Sequence, residues 1–169
     1  SSGLFESYGK VPEIAVTLET NRGCPYGCTF CDWGSNTKAR IRQFDLERVM
    51  GELEWCASHE GVGVGLADAN CGIFERDVEI AERVVELKEK YGYPKACTGS
   101  YAKNTVKHLQ KIISTWSDGG ILTLGVLSLQ SMDESTLKAV RRSNIKTSKY
   151  DSLAGEFRTG VERFLAGLP

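Results

Sequence analysis

The chain has 169 residues, the length of one ordinary globular domain, and is 41% hydrophobic and 25% charged, a composition that excludes disordered, collagen-like and coiled-coil proteins. Its formal net charge of −1 lacks the basic excess of a dedicated nucleic-acid or membrane-surface binder. No apolar run approaches the ~20 residues of a membrane span. We therefore expect one site, in a chain that binds neither nucleic acid nor a membrane.

Apolar segments of strand length alternate with helical segments from residue 14 onward, which is typical of repeated β-α units. Strands are predicted over residues 14–18, 62–67, 95–98, 121–127 and 161–166. The first helix is capped by Asp45, the second covers residues 78–87 and the third starts at Asn104. A capping box of Ser131 and Glu134 begins the fourth helix, and a fifth apolar stripe follows.

About five parallel strands with right-handed crossovers form either a doubly wound open sheet or part of a barrel. In both architectures ligands bind at the carboxyl ends of the strands. A loop with three cysteines comes directly after the first predicted strand. The sequence therefore predicts an α/β fold with its chemistry in that loop.

Three of the six cysteines, Cys24, Cys28 and Cys31, fall within eight residues, whereas the others are scattered singly. This clustering favours one metal centre over a disulfide framework and predicts a reducing, cytoplasmic location. Structural zinc sites commonly use two Cys-x-x-Cys-like pairs, and a second pair is missing here. A 4Fe–4S cluster held by three thiolates leaves one iron open to a substrate or cofactor.

The spacing Cys24-x-x-x-Cys28-x-x-Cys31, with the aromatic Phe30 before the last cysteine, resembles the signature of the radical S-adenosylmethionine (SAM) superfamily. The longer segment 19–35 is similar to members that carry an N-terminal cobalamin-binding domain. Further similar segments follow the later predicted strands and close the chain, at residues 67–70, 98–104, 129–131, 142–144 and 167–169.

This resemblance implies a partial (β/α)6 TIM-like barrel, with about five parallel strands present in this chain. Residues 1–13 would be a linker from a missing cobalamin-binding domain, and residues 14–169 a radical SAM core that is truncated at its C-terminal end. The last predicted strand departs from the family pattern, because Glu162 and Arg163 interrupt it, and buried charges are costly unless they are paired.

The implied activity is reductive cleavage of SAM to a 5′-deoxyadenosyl radical by a 4Fe–4S cluster on the three clustered cysteines. Its expected use is cobalamin-dependent C-methylation of a small-molecule or peptide substrate, with cobalamin bound in the full-length protein and a flavodoxin or ferredoxin as electron donor. The alternatives are another radical SAM chemistry, such as methylthiolation, cyclisation or rearrangement, and a zinc-stabilised binding module.

The resemblance also implies a set of SAM-binding residues near the strand ends: Phe30, Asp68, Asn70, Ser100, Gln130, Ser131 and Arg142. Phe30 would pack on the adenine, Gln130 and Ser131 would bind the ribose or the methionine end, and Asp68 and Asn70 would contact the SAM amino group. Arg142 would pair with the methionine carboxylate. The plainer alternatives are a loop anchor for Phe30, a helix cap for Ser131, turn roles for the Asp and Asn, and a solvent-facing arginine.

Cysteines outside the cluster have weaker assignments. Cys56 lies near the apolar stripe of the first helix, which predicts a core position. Cys71 and Cys97 lie close to strand ends, where a buried thiol is the simpler interpretation and a substrate-facing one the alternative.

Overall fold

The computed structural model describes residues 14–34, 40–102, 106–126 and 128–166. Within these residues the chain forms a four-stranded parallel sheet, in the spatial order β1 (Ala15–Leu18), β4 (Gly63–Cys71), β5 (Ala96–Tyr101) and β6 (Leu122–Val126). A short antiparallel pair, β2 (Asn21–Arg22) and β3 (Arg42–Gln43), flanks the cysteine loop. The helices are α1 (Leu46–Ser58), α2 (Arg76–Tyr91), α3 (Lys107–Asp118), α4 (Glu134–Ala139) and α5 (Thr147–Ala166).

Helices cover one face of this sheet. Neighbouring strands pair in register across the sheet, and one such row is Val16–Val64–Cys97–Thr123. Its last three residues are buried under the helices. The next row, Thr17–Gly65–Thr98–Leu124, points to the opposite face, where Leu124 keeps 48% of its surface exposed. Since the described helices cover a single face, the fold is that of a partial barrel and not of a doubly wound sheet, and the predicted fold class is confirmed.

The predicted strand over residues 161–166 is wrong, because α5 runs as one helix through Thr147–Ala166. Phe157, Val161 and Phe164 are all partly buried at helical spacing, so the short apolar run continues a helix stripe. Arg163 forms an ion pair with Asp118 at the surface, which explains how its charge is tolerated. The described part of the sheet therefore has four strands, one fewer than predicted.

The glycines of α5 give a test of this helix. A Cβ at Gly155 would meet no atom within 4 Å, whereas a Cβ at Gly160 would lie 3.0 Å from the Ser117 Oγ. Gly155→Ala should stabilise the protein by about 1 kcal/mol, because alanine is the better helix former. Gly160→Ala should stabilise it less or destabilise it. Urea unfolding of both variants measures the difference, and equal gains would contradict the packing of α5 on α3.

The start of α4 also differs from the prediction. Asp133 is the N-cap, and its carboxylate accepts a hydrogen bond from the Thr136 N–H at 2.7 Å. Bonds from Ser135 and Thr136 lower the pKa of Asp133 to about 2. The predicted capping box of Ser131 and Glu134 is therefore wrong, because α4 begins at Glu134 and its N-cap is Asp133. The negative charge of Asp133 also interacts favourably with the positive end of the helix dipole.

Other predictions along the chain agree with the structure or lie outside it. Asp45 caps α1, accepting from the Arg48 N–H at 3.2 Å. Residues 1–13, 103–105, which include Asn104, and 167–169 lie outside the described residues. None of the helices that the structure describes has both the length and the apolar character that crossing a membrane requires.

Strand β4 is longer and less regular than predicted. It continues past residue 67 to Cys71, and its register with β5 shifts between Leu66 and Cys71. Leu66 pairs with Gly99 and Cys71 with Tyr101, so β4 advances five residues while β5 advances two. This irregular stretch carries Asp68 and Asn70, both buried, at the carboxyl edge of the sheet.

The three scattered thiols are buried, and all six cysteines are free. Cys56 lies in the core as predicted. Burial, with a contribution from Glu52, raises the pKa of Cys56 from 9.0 to about 11. Burial raises the pKa of Cys71 and of Cys97 well above the ordinary thiol range. These are the properties of unreactive core thiols and not of nucleophiles.

The raised pKa of Cys56 predicts a loss of stability in alkali. The unfolded thiol ionises near pH 9 and the folded one near pH 11, so the contribution is complete below pH 9 and is lost as the pH rises to 11. The loss should be about 2 kcal/mol. Chemical denaturation between these pH values should show a smaller decline for Cys56→Ala, and parallel curves for the two proteins would refute the assignment.

Candidate functional site

Asp68 holds the root of the cysteine loop. Its Oδ1 accepts hydrogen bonds from the backbone N–H groups of Thr20 at 2.7 Å and Asn21 at 3.1 Å. Its Oδ2 accepts from the Asn21 Nδ2 at 2.9 Å and from the Thr20 hydroxyl. The side chain is 2% exposed; burial raises the pKa of Asp68 and these hydrogen bonds act against the rise. Asp68 is therefore the anchor that fixes where the loop leaves β1.

A second set of contacts holds the same segment from its other side. The Phe44 N–H donates to the Thr20 carbonyl at 3.0 Å, next to the β2–β3 pair. Arg76 donates from Nη1 to the Phe44 carbonyl at 2.8 Å, and the Arg48 guanidinium lies 4.6 Å from the centre of the Phe44 ring. The loop therefore begins from a fixed position at the carboxyl edge of the sheet.

The three clustered thiols lie in different surroundings. Cys24 is 9% exposed, and its Sγ accepts a hydrogen bond from the Asn70 Nδ2 at 3.2 Å. Cys28 and Cys31 are half-buried and are joined by a turn in which the Cys31 N–H donates to the Cys28 carbonyl at 3.1 Å. In the described part of the chain, no three Cys, His, Asp or Glu side chains are close enough together to hold one ion.

The donor set nevertheless fits an iron–sulfur cluster in its chemistry. Three free thiols on one short loop are the soft ligands that such clusters take. The loop contains Gly27, which has no Cβ and therefore allows its backbone more conformations than other residues do. The structure therefore fixes the root of the loop and the position of Cys24, and does not gather the three thiols.

A surface hollow of about 460 Å³ lies beside Cys28 and Cys31. Phe30, 51% exposed, and Arg141 also line it, and the Thr29 N–H donates to the Val140 carbonyl at 3.1 Å across the loop contact. Arg141 is exposed and has a positive φ of 52°. Within the described chain its guanidinium has no hydrogen-bond or ion-pair partner.

The residues predicted to bind SAM occupy several different positions. Phe30 borders the hollow. Ser100 is exposed near the carboxyl end of β5, and Gln130 is exposed in the segment after β6. The Ser131 Oγ accepts from the Asp133 N–H at 3.1 Å. Arg142 donates from Nε to the Asn144 Oδ1 at 3.0 Å and from Nη2 to the Ser128 carbonyl at 2.6 Å, so it braces the segment after β6.

Three residues of this region were not predicted from the sequence. Arg141 lines the hollow next to the cysteines, Thr20 donates twice to Asp68, and the buried Asp77 accepts from the Gly72 N–H at 2.9 Å to order the turn after β4. Arg141 stands next to Arg142, which was predicted to bind SAM. The sequence does not show which of two neighbouring arginines lies beside the cysteines.

The chain has relatives among known proteins. No protein-family model matches the chain. It is 43% identical over 141 residues to 2-(S-pantetheinyl)-carbapenam-3-carboxylate methyltransferase of Streptantibioticus cattleyicolor, covering 83% of this chain and 21% of that protein. It is 43% identical over 156 residues to the cobalamin-dependent radical SAM methyltransferase TokK of Streptomyces tokunonensis, covering 89% and 23%.

The fold has solved counterparts as well. The radical SAM methyltransferase TsrM of Kitasatospora setae, solved with tryptophan substrate and a SAM analogue, superposes with a TM-score of 0.67 at 14% identity, over 95% of this chain and 30% of TsrM. Over most of its length the chain is therefore similar to a cobalamin-dependent radical SAM methyltransferase. The predicted resemblance to the radical SAM superfamily and to its cobalamin-dependent branch is confirmed. The chain spans about a fifth of the length of the curated relatives that it matches.

Proposed function

We propose that this chain is the cluster-binding and SAM-binding core of a cobalamin-dependent radical SAM C-methyltransferase. The observation that carries the proposal is a three-cysteine loop, anchored by Asp68 at the carboxyl edge of a parallel sheet, in a chain 43% identical to two methyltransferases. TsrM, which has the same fold, is also a methyltransferase and has been solved with cobalamin and a 4Fe–4S cluster bound.

In this proposal Cys24, Cys28 and Cys31 ligate the cluster. When bound, the cluster would supply the electron that cleaves SAM reductively, giving a radical that activates the substrate carbon for methylation. Asp68 holds the loop in position, so that the buried Cys24 stays at the strand edge while Cys28 and Cys31 face the hollow.

The hollow suits the SAM molecule on two grounds. The exposed Phe30 ring offers an apolar surface for the adenine. Arg141 offers the methionine carboxylate a guanidinium that has no partner among the described residues. The other predicted SAM contacts stay predictions: Asn70, Ser100, Gln130, Ser131, Asp68 and Arg142. For Asp68 and Arg142 the alternative is the structural role given by their present hydrogen bonds.

The proposal extends to partners and location. A small-molecule substrate is the expected class, since the carbapenam-carboxylate methyltransferase is named for one and TsrM has been solved with tryptophan. A flavodoxin or ferredoxin would supply electrons, and six free thiols suit a reducing cytoplasm. Cobalamin would be bound by a domain joined to residues 1–13, and a further barrel segment would follow residue 169.

The full-length protein, purified without oxygen, gives the test. We expect about four irons and four labile sulfides per chain, no stoichiometric zinc, and transfer of a deuterated methyl group from labelled SAM to an acceptor when cobalamin and a reductant are present. One zinc without labile sulfide would support the zinc-stabilised module instead. A cluster with SAM cleavage but no methyl transfer would support another radical SAM chemistry.

Arg141 and Arg142 provide a matched pair of variants for the SAM site. Arg141→Gln removes the guanidinium beside the cysteines, which has no partner in the described part of the chain, and should weaken SAM binding about tenfold without changing the stability of the fold. Arg142→Gln breaks the bonds to Asn144 and Ser128 and should lower stability by about 1 kcal/mol. Isothermal titration with SAM and thermal unfolding separate the two effects, and a larger SAM defect in Arg142→Gln would restore the original assignment.

A further inference from the structure

Asn70 places an amide donor against one of the three clustered sulfurs. Its Nδ2 donates to the Cys24 Sγ at 3.2 Å, and the Asn70 side chain is 3% exposed. Within the described residues, Cys24 is the one clustered thiol with a side-chain hydrogen-bond donor, and it is also the most buried of the three. The contact therefore singles out one corner of the three-thiol set.

The backbone keeps this donor in place. Asn70 lies in the irregular end of β4, two residues after Asp68, which anchors the opposite end of the same loop segment through Thr20 and Asn21. The next strand residue, Cys71, pairs again with Tyr101 of β5. The backbone of Asn70 is thus held between two fixed points.

We propose that Asn70 is a positioning residue that raises the reduction potential of the cluster by donating a hydrogen bond to the Cys24 sulfur. This inference rests on the proposed function, since it requires a cluster on the three cysteines. It differs from the predicted contact of Asn70 with the SAM amino group, because it acts on the cluster when SAM is absent.

The physical reason is a difference in charge between the two redox states. Reduction by one electron adds negative charge to the cluster and its sulfurs, so an N–H donor interacts more strongly with the reduced form than with the oxidised form. Because Asn70 and Cys24 are both buried, water screens this interaction little. The donor therefore stabilises the reduced state and makes the electron easier to deliver to the cluster.

The test compares full-length, cluster-loaded wild type with Asn70→Leu, which has a similar size and no donor, and Asn70→Gln, which keeps the amide. EPR-monitored redox titrations are run without SAM. In Asn70→Leu we expect the ratio of reduced to oxidised cluster at a fixed ambient potential to fall about tenfold, which is 59 mV for one electron. Asn70→Gln should recover at least half of that shift.

Pulsed EPR of the wild type, labelled with ¹⁵N only in asparagine, gives a measurement that does not depend on the Leu variant folding. We expect a ¹⁵N coupling to the reduced cluster, absent from Asn70→Gln labelled in the same way. Equal potentials in wild type and Asn70→Leu at equal iron content, or a wild-type cluster without that coupling, would overturn the inference. A wild type that assembles no cluster would instead refute the proposed function.

Discussion

Simultaneous replacement of Cys24, Cys28 and Cys31 by alanine should abolish the iron–sulfur centre. Iron and labile sulfide should fall to background and reductive cleavage of SAM should cease, because no other described thiol lies at the loop. Each single replacement should weaken cluster retention by more than about 100-fold. This is more than the loss of metal affinity expected when a residue that only supports the ligands is changed. Metal and sulfide analysis with the visible absorption spectrum measures both.

Cys56→Ala is the matched control for these variants. Cys56 is a free thiol of the core and lies in α1, away from the loop. Its removal should leave iron and sulfide content unchanged and cost the fold about 1 kcal/mol or less. If Cys56→Ala also lost the cluster, or if the triple variant retained it, the assignment of the three ligands would be wrong.

Asp68→Ala should be the most destabilising single change at the root of the loop. It leaves four donors of Thr20 and Asn21 without their acceptor in a buried position, at a cost of about 3 kcal/mol or more. Because these bonds position the segment before Cys24, cluster retention should fall as well. Urea unfolding and iron content after gel filtration measure the two consequences.

Asp68→Asn separates the loss of the acceptor from the loss of charge. It keeps the size of the side chain and one acceptor oxygen, so its cost should lie between those of wild type and Asp68→Ala. An Asp68→Ala protein as stable as the wild type would show that the loop is positioned by the β2–β3 pair alone.

The main architecture could be predicted because its determinants are local. The β-α alternation has clear periodicity, and the cap at Asp45 and the buried Cys56 follow from sequence position. The segment 161–166 could not be predicted, because six residues with two charges fit a strand or a helix end equally well. Its helical state depends on packing of α5 against α3, which local sequence does not encode.

The candidate site could be predicted in composition but not in arrangement. The spacing of the three cysteines predicted the candidate ligands and the resemblance to the radical SAM superfamily. The partners of Asp68, Asn70 and Arg142 could not be predicted, because each is a contact between distant segments: Asp68 and Thr20 lie 48 residues apart, and Asn70 and Cys24 lie 46 apart. Such pairs depend on strand register, and the shift in β4 has no local sequence signature.

The irregular end of β4 makes two neighbouring strands a single functional unit. The cysteine loop leaves the sheet from β1, yet both its root and its buried thiol are held by side chains of β4. A cysteine loop transplanted into another parallel sheet together with β1 alone would lack both contacts. Transfer of the cysteine loop to a new scaffold would therefore require residues 63–71 to be moved with it, in the same register.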